Sequence, residues 1–83
     1  MDRIDEFVLQ QIKTVLNLGS QELNDNCRLV EDLGANSFEL AEIFLSLEEE
    51  FNISLGNKFI LGKTIYVKTI KDIVKEVLGN SNA

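Results

Sequence analysis

The residues from Val30 to Phe51 read VEDLGANSFELAEIFLSLEEEF, and they decide how the rest of the chain must be arranged. They open with a turn containing Gly34, pass the polar pair Asn36 and Ser37, and continue as an amphipathic helix dense in glutamate. Asn36 can cap the first free amides of that helix, and Glu39, three residues on, is spaced to reach back in a capping box. Ser37 then has two readings, a simple helix-start residue or the chemical centre of the protein.

At ~100° per residue, Leu40, Ile43, Phe44, Leu47 and Phe51 fall within one stripe suited to a core. Phe38, Ala41 and Leu45 form a second apolar strip, rotated by roughly 140° from the first and flanked by Glu42 and Glu49 on one side and Glu48 on the other. A small bundle has little room to bury both. Singly exposed apolar residues are common, so the second strip can be ordinary surface. An apolar strip edged by carboxylates is equally what a basic-rimmed partner groove would dock against. The charge distribution moves the balance to docking. Between Arg28 and Lys58 there are seven acids and no base, whereas five of the eight basic residues lie from Lys58 to Lys75.

Composition narrows the functional classes. Eighty-three residues make one small domain over 1–83, able to bury a modest core without metal or disulfide support. A net charge of −6 argues against nucleic-acid binding, which needs clustered Lys and Arg. No apolar run approaches the ~20 residues of a membrane span, and the acidic start MDRIDEFVLQ does not look like a secretory signal. A cytoplasmic monomer without membrane insertion is the expectation. Cys27 is the single cysteine and there is no histidine. Neither an internal disulfide nor a Cys/His metal cluster can form, so metal ligands are not expected. The absent histidine also leaves Ser37 without the usual general base, so catalysis by the chain itself is not expected.

Outward from the central stretch, Ile4, Phe7, Val8, Ile12, Val15 and Leu16 recur at helical steps and predict helix one over 2–17, with Gly19 as its left-handed stop. Residues 20–36 lack a sustained period and predict a long loop, with a single turn at Ser20 to Leu23 and with Leu23, Leu29, Val30 and Leu33 pinning it to the core. Loops of this length in compact domains are usually functional when ordered. After the central helix over 37–51, a short irregular third helix is predicted near 57–61. A last helix over 69–78 is predicted to be capped by Thr69, with Ile70, Ile73, Val74, Val77 and Leu78 facing inward.

The motif Asp32-Leu33-Gly34-Ala35-Asn36-Ser37-Phe38, followed by Glu42, Ile43 and Leu47-Glu48-Glu49-Glu50-Phe51-Asn52-Ile53, resembles the acyl carrier protein family. The family pattern is a leucine-glycine turn, Asp-Ser-Leu at the head of an acidic helix, and a leucine-glutamate-glutamate-phenylalanine close. The resemblance covers most of the chain and weakens after Leu55. It implies an all-α fold, a small four-helix bundle with a long loop between its first two helices. It also implies that Ser37 is esterified with 4′-phosphopantetheine from coenzyme A by a separate holo-acyl-carrier synthase, a phosphopantetheinyl transferase. That enzyme and its Mg²⁺ would supply the activation that Ser37 lacks.

By the same resemblance, the chain is a non-catalytic carrier that presents acyl thioesters to enzymes of fatty-acid, lipid or polyketide-type biosynthesis. Phe38, Glu39, Ala41, Glu42, Leu45, Glu48 and Glu49 match the family's docking surface for acyl-transferring or synthase enzymes with basic faces. An aminoacyl or peptidyl carrier and an unmodified carrier-like interaction module are the alternatives. Asn36 departs from the pattern, because the family usually has aspartate there. A cap is retained, but a charge that could pair with a basic residue of the synthase is lost. Phe38 replaces the usual leucine, and Gly56 to Thr69 is longer than in typical carriers, with Lys58, Lys63 and Lys68 in place of an acidic third helix. These departures imply a specialised member.

Overall fold

In a computed structural model of the chain, residues 2–56 and 63–81 are described, and they form three α-helices: α1 (Arg3–Leu16), α2 (Ser37–Phe51) and α3 (Val67–Ser81). The all-helical class is as expected, but the described residues supply three helices rather than four. The short helix expected near 57–61 lies outside the described residues.

Helix α1 starts and stops where its side chains satisfy its terminal amides and carbonyls. The Asp2 carboxylate accepts the Asp5 amide at 2.8 Å, and Asp5 and Glu6 place negative charge in the first turn, against the positive end of the helix dipole. The left-handed stop is Asn17, at φ 56°, whose amide donates to the carbonyls of Lys13 and Thr14. Asparagine tolerates this conformation better than most residues because its short amide hydrogen-bonds locally. The residue that closes the helix is therefore Asn17 rather than Gly19, while Gly19 does take the expected left-handed conformation, at φ 63°, in the turn that follows.

The core forms where one face of each helix meets the loop. Val8 and Ile12 of α1, Ile43 and Leu47 of α2, and Val67, Ile70 and Val74 of α3 are fully buried, together with Leu29 from the loop. Helix α1 lies against both α2 and α3. Phe7 meets Phe51 edge-on, with ring centroids 5.4 Å apart and planes at 80°, the offset that ring quadrupoles favour. Ion pairs then tie the start of α1 to the other two helices. Lys75 Nζ lies 2.8 Å from Asp5 and 3.1 Å from Asp2, and Arg3 lies 3.0 Å from Glu50.

The start of α3 is a second correction. Thr69 does not precede the helix; it occupies the third helical position, and its hydroxyl accepts the Tyr66 amide at 3.3 Å. The helix begins two residues earlier than expected, at Val67, because Val67 is wholly buried and its amide is taken up by the Cys27 carbonyl at 2.9 Å. The Leu29 amide donates to the Ile65 carbonyl at 2.9 Å, completing an isolated antiparallel bridge between Arg28 and Tyr66. The long loop is thus clamped to the entrance of α3.

Candidate functional site

The turn that leads into α2 is built by one residue pair and one glycine. Arg28 and Asp32 form a two-pronged ion pair, with Nη2 to Oδ1 at 2.9 Å and Nε to Oδ2 at 3.1 Å, and Asp32 Oδ2 also accepts the Arg28 amide at 2.9 Å. The guanidinium and then the amide of Arg28 hold the Asp32 carboxyl below its ordinary value, and Asp32 in turn pushes Arg28 up. Within this loop the amides of Gly34 and Ala35 donate to the carbonyls of Val30 and Leu29. Gly34 adopts φ 75° with open space where a Cβ would stand, so its requirement is backbone conformation rather than room.

From this turn the chain enters α2 through a complete capping box. Asn36 Oδ1 accepts the Glu39 amide at 2.8 Å, and Glu39 Oε1 accepts the Asn36 amide at 2.9 Å. Ser37 is consequently the first helical residue, exposed, at the positive end of the dipole. The box uses the amides of residues 36 and 39 and leaves those of Ser37 and Phe38 to face an anion. An accessible hydroxyl beside such amides suits a serine that bears a phosphodiester.

Beside Ser37 runs a cleft of about 710 Å³, lined from α2 by Ser37, Leu40, Ala41, Phe44, Leu45 and Glu48. Its other walls are Val30 and Glu31 from the loop, Leu55 and Gly56 after α2, and Lys63, Thr64 and Ile65 before α3. The lining is mainly apolar, with polar groups at intervals, and the volume falls within the ~300–1,000 Å³ typical of small-molecule sites.

The structure gathers the expected residues unevenly. Phe38 is 87% exposed and Leu45 58% exposed, and Ala41, Glu42 and Glu49 are also exposed, so the second apolar strip is not absorbed by the core. Ala41 and Leu45 border the cleft together with Leu40 and Phe44, so the strip and the core stripe converge there instead of facing apart. Glu39 is committed to the capping box. Glu48 is partly buried and accepts the Leu55 amide at 2.7 Å, a bond that its place among the surface acids gave no sign of. Val30, expected to pin the loop, is 49% exposed and forms part of the cleft wall. The walls contributed by Leu55, Gly56, Thr64 and Ile65 went unread in the sequence. The sequence marks that region as unusual only by its length and its lysines, neither of which points to a cleft wall.

Comparison with known proteins matches this geometry to a class. The family model described as the phosphopantetheine attachment site matches residues 6–64, a span that holds the turn, the capping box and α2. The acyl carrier protein of Wolinella succinogenes is 33% identical over 79 residues, covering 95% of this chain and 93% of that protein. Those of Sulfurovum sp. and Buchnera aphidicola are 37% identical over 74 residues and 34% identical over 76 residues, covering 89% and 92% of this chain and 88% and 96% of those proteins. The chain belongs to the acyl carrier protein family. The prosthetic group of the class is covalently attached 4′-phosphopantetheine, and among the described residues no helix is long and apolar enough to cross a membrane.

Proposed function

We propose that Ser37 is the attachment residue and that residues 1–83 act as one carrier domain for acyl intermediates, handed between enzymes of fatty-acid, lipid or polyketide-type biosynthesis. The observation that carries this is the exposed Ser37 hydroxyl at the first position of α2, held by the Asn36–Glu39 box and bordering an apolar cleft. In the loading step the Ser37 oxygen forms a bond to the phosphorus of coenzyme A that carries the pantetheine, and the bond from that phosphorus to the adenosine bisphosphate portion breaks. The hydroxyl proton passes to a base of the transferase, since this chain has no histidine to take it. When bound, the group supplies a terminal thiol that holds acyl cargo as a thioester.

The chain's own residues do the positioning. Asn36 and Glu39 hold the helix start rigid, the amides of Ser37 and Phe38 and the dipole favour the phosphodiester, and the cleft gives an acyl chain an apolar wall. Phe38, Ala41 and Leu45, bordered by Glu42 and Glu49, offer a basic-faced partner both apolar area and complementary charge, the latter acting mainly on encounter rate and orientation. A tethered cargo is then presented at high effective concentration to whichever enzyme is docked.

The test is to incubate the purified protein with coenzyme A and a broad-specificity transferase, and to weigh it intact. A mass increase of one phosphopantetheine, mapped by fragmentation to Ser37, is expected. No increase with that enzyme or with any transferase encoded beside the gene would remove the carrier reading and leave an unmodified interaction module. Weighing protein isolated from its native host would identify the cargo, including an aminoacyl one.

A further inference from the structure

Glu48 differs from the acids around it. Glu42 and Glu49 are exposed and their side chains make no hydrogen bond among the described residues, whereas Glu48 receives three amides of the segment that leaves α2. Its main-chain carbonyl accepts those of Asn52, at φ 54°, and Ile53. Its side-chain carboxylate accepts that of Leu55 at 2.7 Å in a partly buried setting. Leu55 is 2% exposed, and Leu55, Gly56 and Glu48 all line the cleft. Along the helix axis Glu48 lies eleven residues beyond Ser37, about 16 Å, so this cluster closes the cleft at the end away from the serine.

We propose that Glu48 is a positioning residue for the cleft: through Leu55 its carboxylate holds residues 52–56 in place as the wall opposite Ser37. The main-chain bonds of Glu48 end the helix whatever side chain stands there. The side-chain bond, together with burial of Leu55, then directs where the chain goes next. A carboxylate accepting a backbone amide makes a charge-assisted bond, stronger than a neutral one, and a partly buried amide that loses it has no ready substitute. Glu48 therefore belongs to the shape of the cleft before it belongs to the acidic docking face. That this wall encloses cargo rests on the carrier reading, but the wall itself is testable on the unmodified chain.

Amide exchange and methyl resonances measured by NMR on the unmodified protein provide the test, with Glu48→Ala and the isosteric Glu48→Gln compared against Glu49→Ala. In Glu48→Ala the Leu55 amide should exchange at least about tenfold faster, while the Ile53 amide, held by the main-chain carbonyl, keeps its rate. Methyl shifts should move at Leu45, Leu55 and Ile65 around the cleft and not at Val8 or Ile12 in the α1 core. Glu48→Gln should restore most of the protection, since its amide oxygen can accept the same bond, and Glu49→Ala should change neither readout. An unchanged Leu55 rate in Glu48→Ala, equal loosening of Ile53 and Leu55, or no recovery in Glu48→Gln would each overturn the proposal. Because no arm is attached, failure of Ser37 loading cannot imitate any of these outcomes.

Discussion

The two sides of α2 are almost equally apolar in sequence and unlike in the structure. Ile43 and Leu47 are fully buried in the core, while Phe38 and Leu45, on the same helix, are mostly exposed. The first side is explained by folding, because burying such side chains stabilises the chain by ~1.5–3 kcal/mol each. The second has no such explanation among the described residues. On the carrier reading, that exposed apolar area is a surface for a partner, with the serine at its head and carboxylates along its edges.

The largest effect that would test this contrast is at the head of the helix. Ser37→Ala should abolish attachment of phosphopantetheine completely while leaving the fold intact; a loaded alanine variant would put the arm on another residue. Next is the buried side. Leu47→Ala should lower unfolding free energy by ~2–5 kcal/mol in a denaturant titration, and an unchanged midpoint would mean that the inner face is not core. A smaller effect is expected at the cap, where Asn36→Ala should lose ~0.5–2 kcal/mol of stability. Asn36→Asp should keep the cap, and it should speed loading by a general transferase several-fold if a charged contact worth ~1 kcal/mol is restored. On the outer side, Phe38→Ala or Glu42→Lys should move stability by less than ~0.5 kcal/mol and yet weaken binding to an acyl-transferring partner in a titration. An equal loss of stability would merge the two faces.

The smallest effect is electrostatic. Lys71 lowers the Asp25 carboxyl below its ordinary 3.8, and the Asp5 amide, then Lys75, does the same for Asp2. A depressed carboxylate contributes stability that is present above its unfolded value and is lost as pH falls through the folded one. Stability should therefore decline below about pH 4 and more so at low salt, because both carboxylates are exposed and their pairing is screened. Removing Asp25 by substitution with Asn should flatten that decline slightly.

The legible parts of this structure were those specified within one turn of chain. Asn36 and Glu39 define the start of α2 by their own bonds, and the period of Ile43 and Leu47 defines its buried side, so both could be read from residue spacing alone. Features set by distant backbone could not. Spacing predicts Thr69 as a cap preceding its helix, but Cys27 draws the helix start back to Val67, and no local pattern announces that carbonyl. Val30 was assigned inward because it is apolar, although the turn built by Arg28 and Asp32 rotates it toward the cleft. Glu48 was read as one surface acid among several, because its partner is a main-chain amide seven residues later and carries no side-chain signature.

The clamp between Cys27 and Val67 has a consequence for how the protein comes into being. Its hydrogen bonds join positions 27 and 67, 40 residues apart, and the whole of α2 lies inside the loop they close. Closing such a loop costs entropy that grows only slowly with its length, but it must be met before the pairing rewards it, so this contact slows a topology that is otherwise rich in local helical contacts. The loop ahead of Ser37 is clamped in this way only once the first residues of α3 have been synthesised and docked. On the carrier reading proposed above, a transferase that needs that turn in place would load the folded chain in preference to the unfolded one.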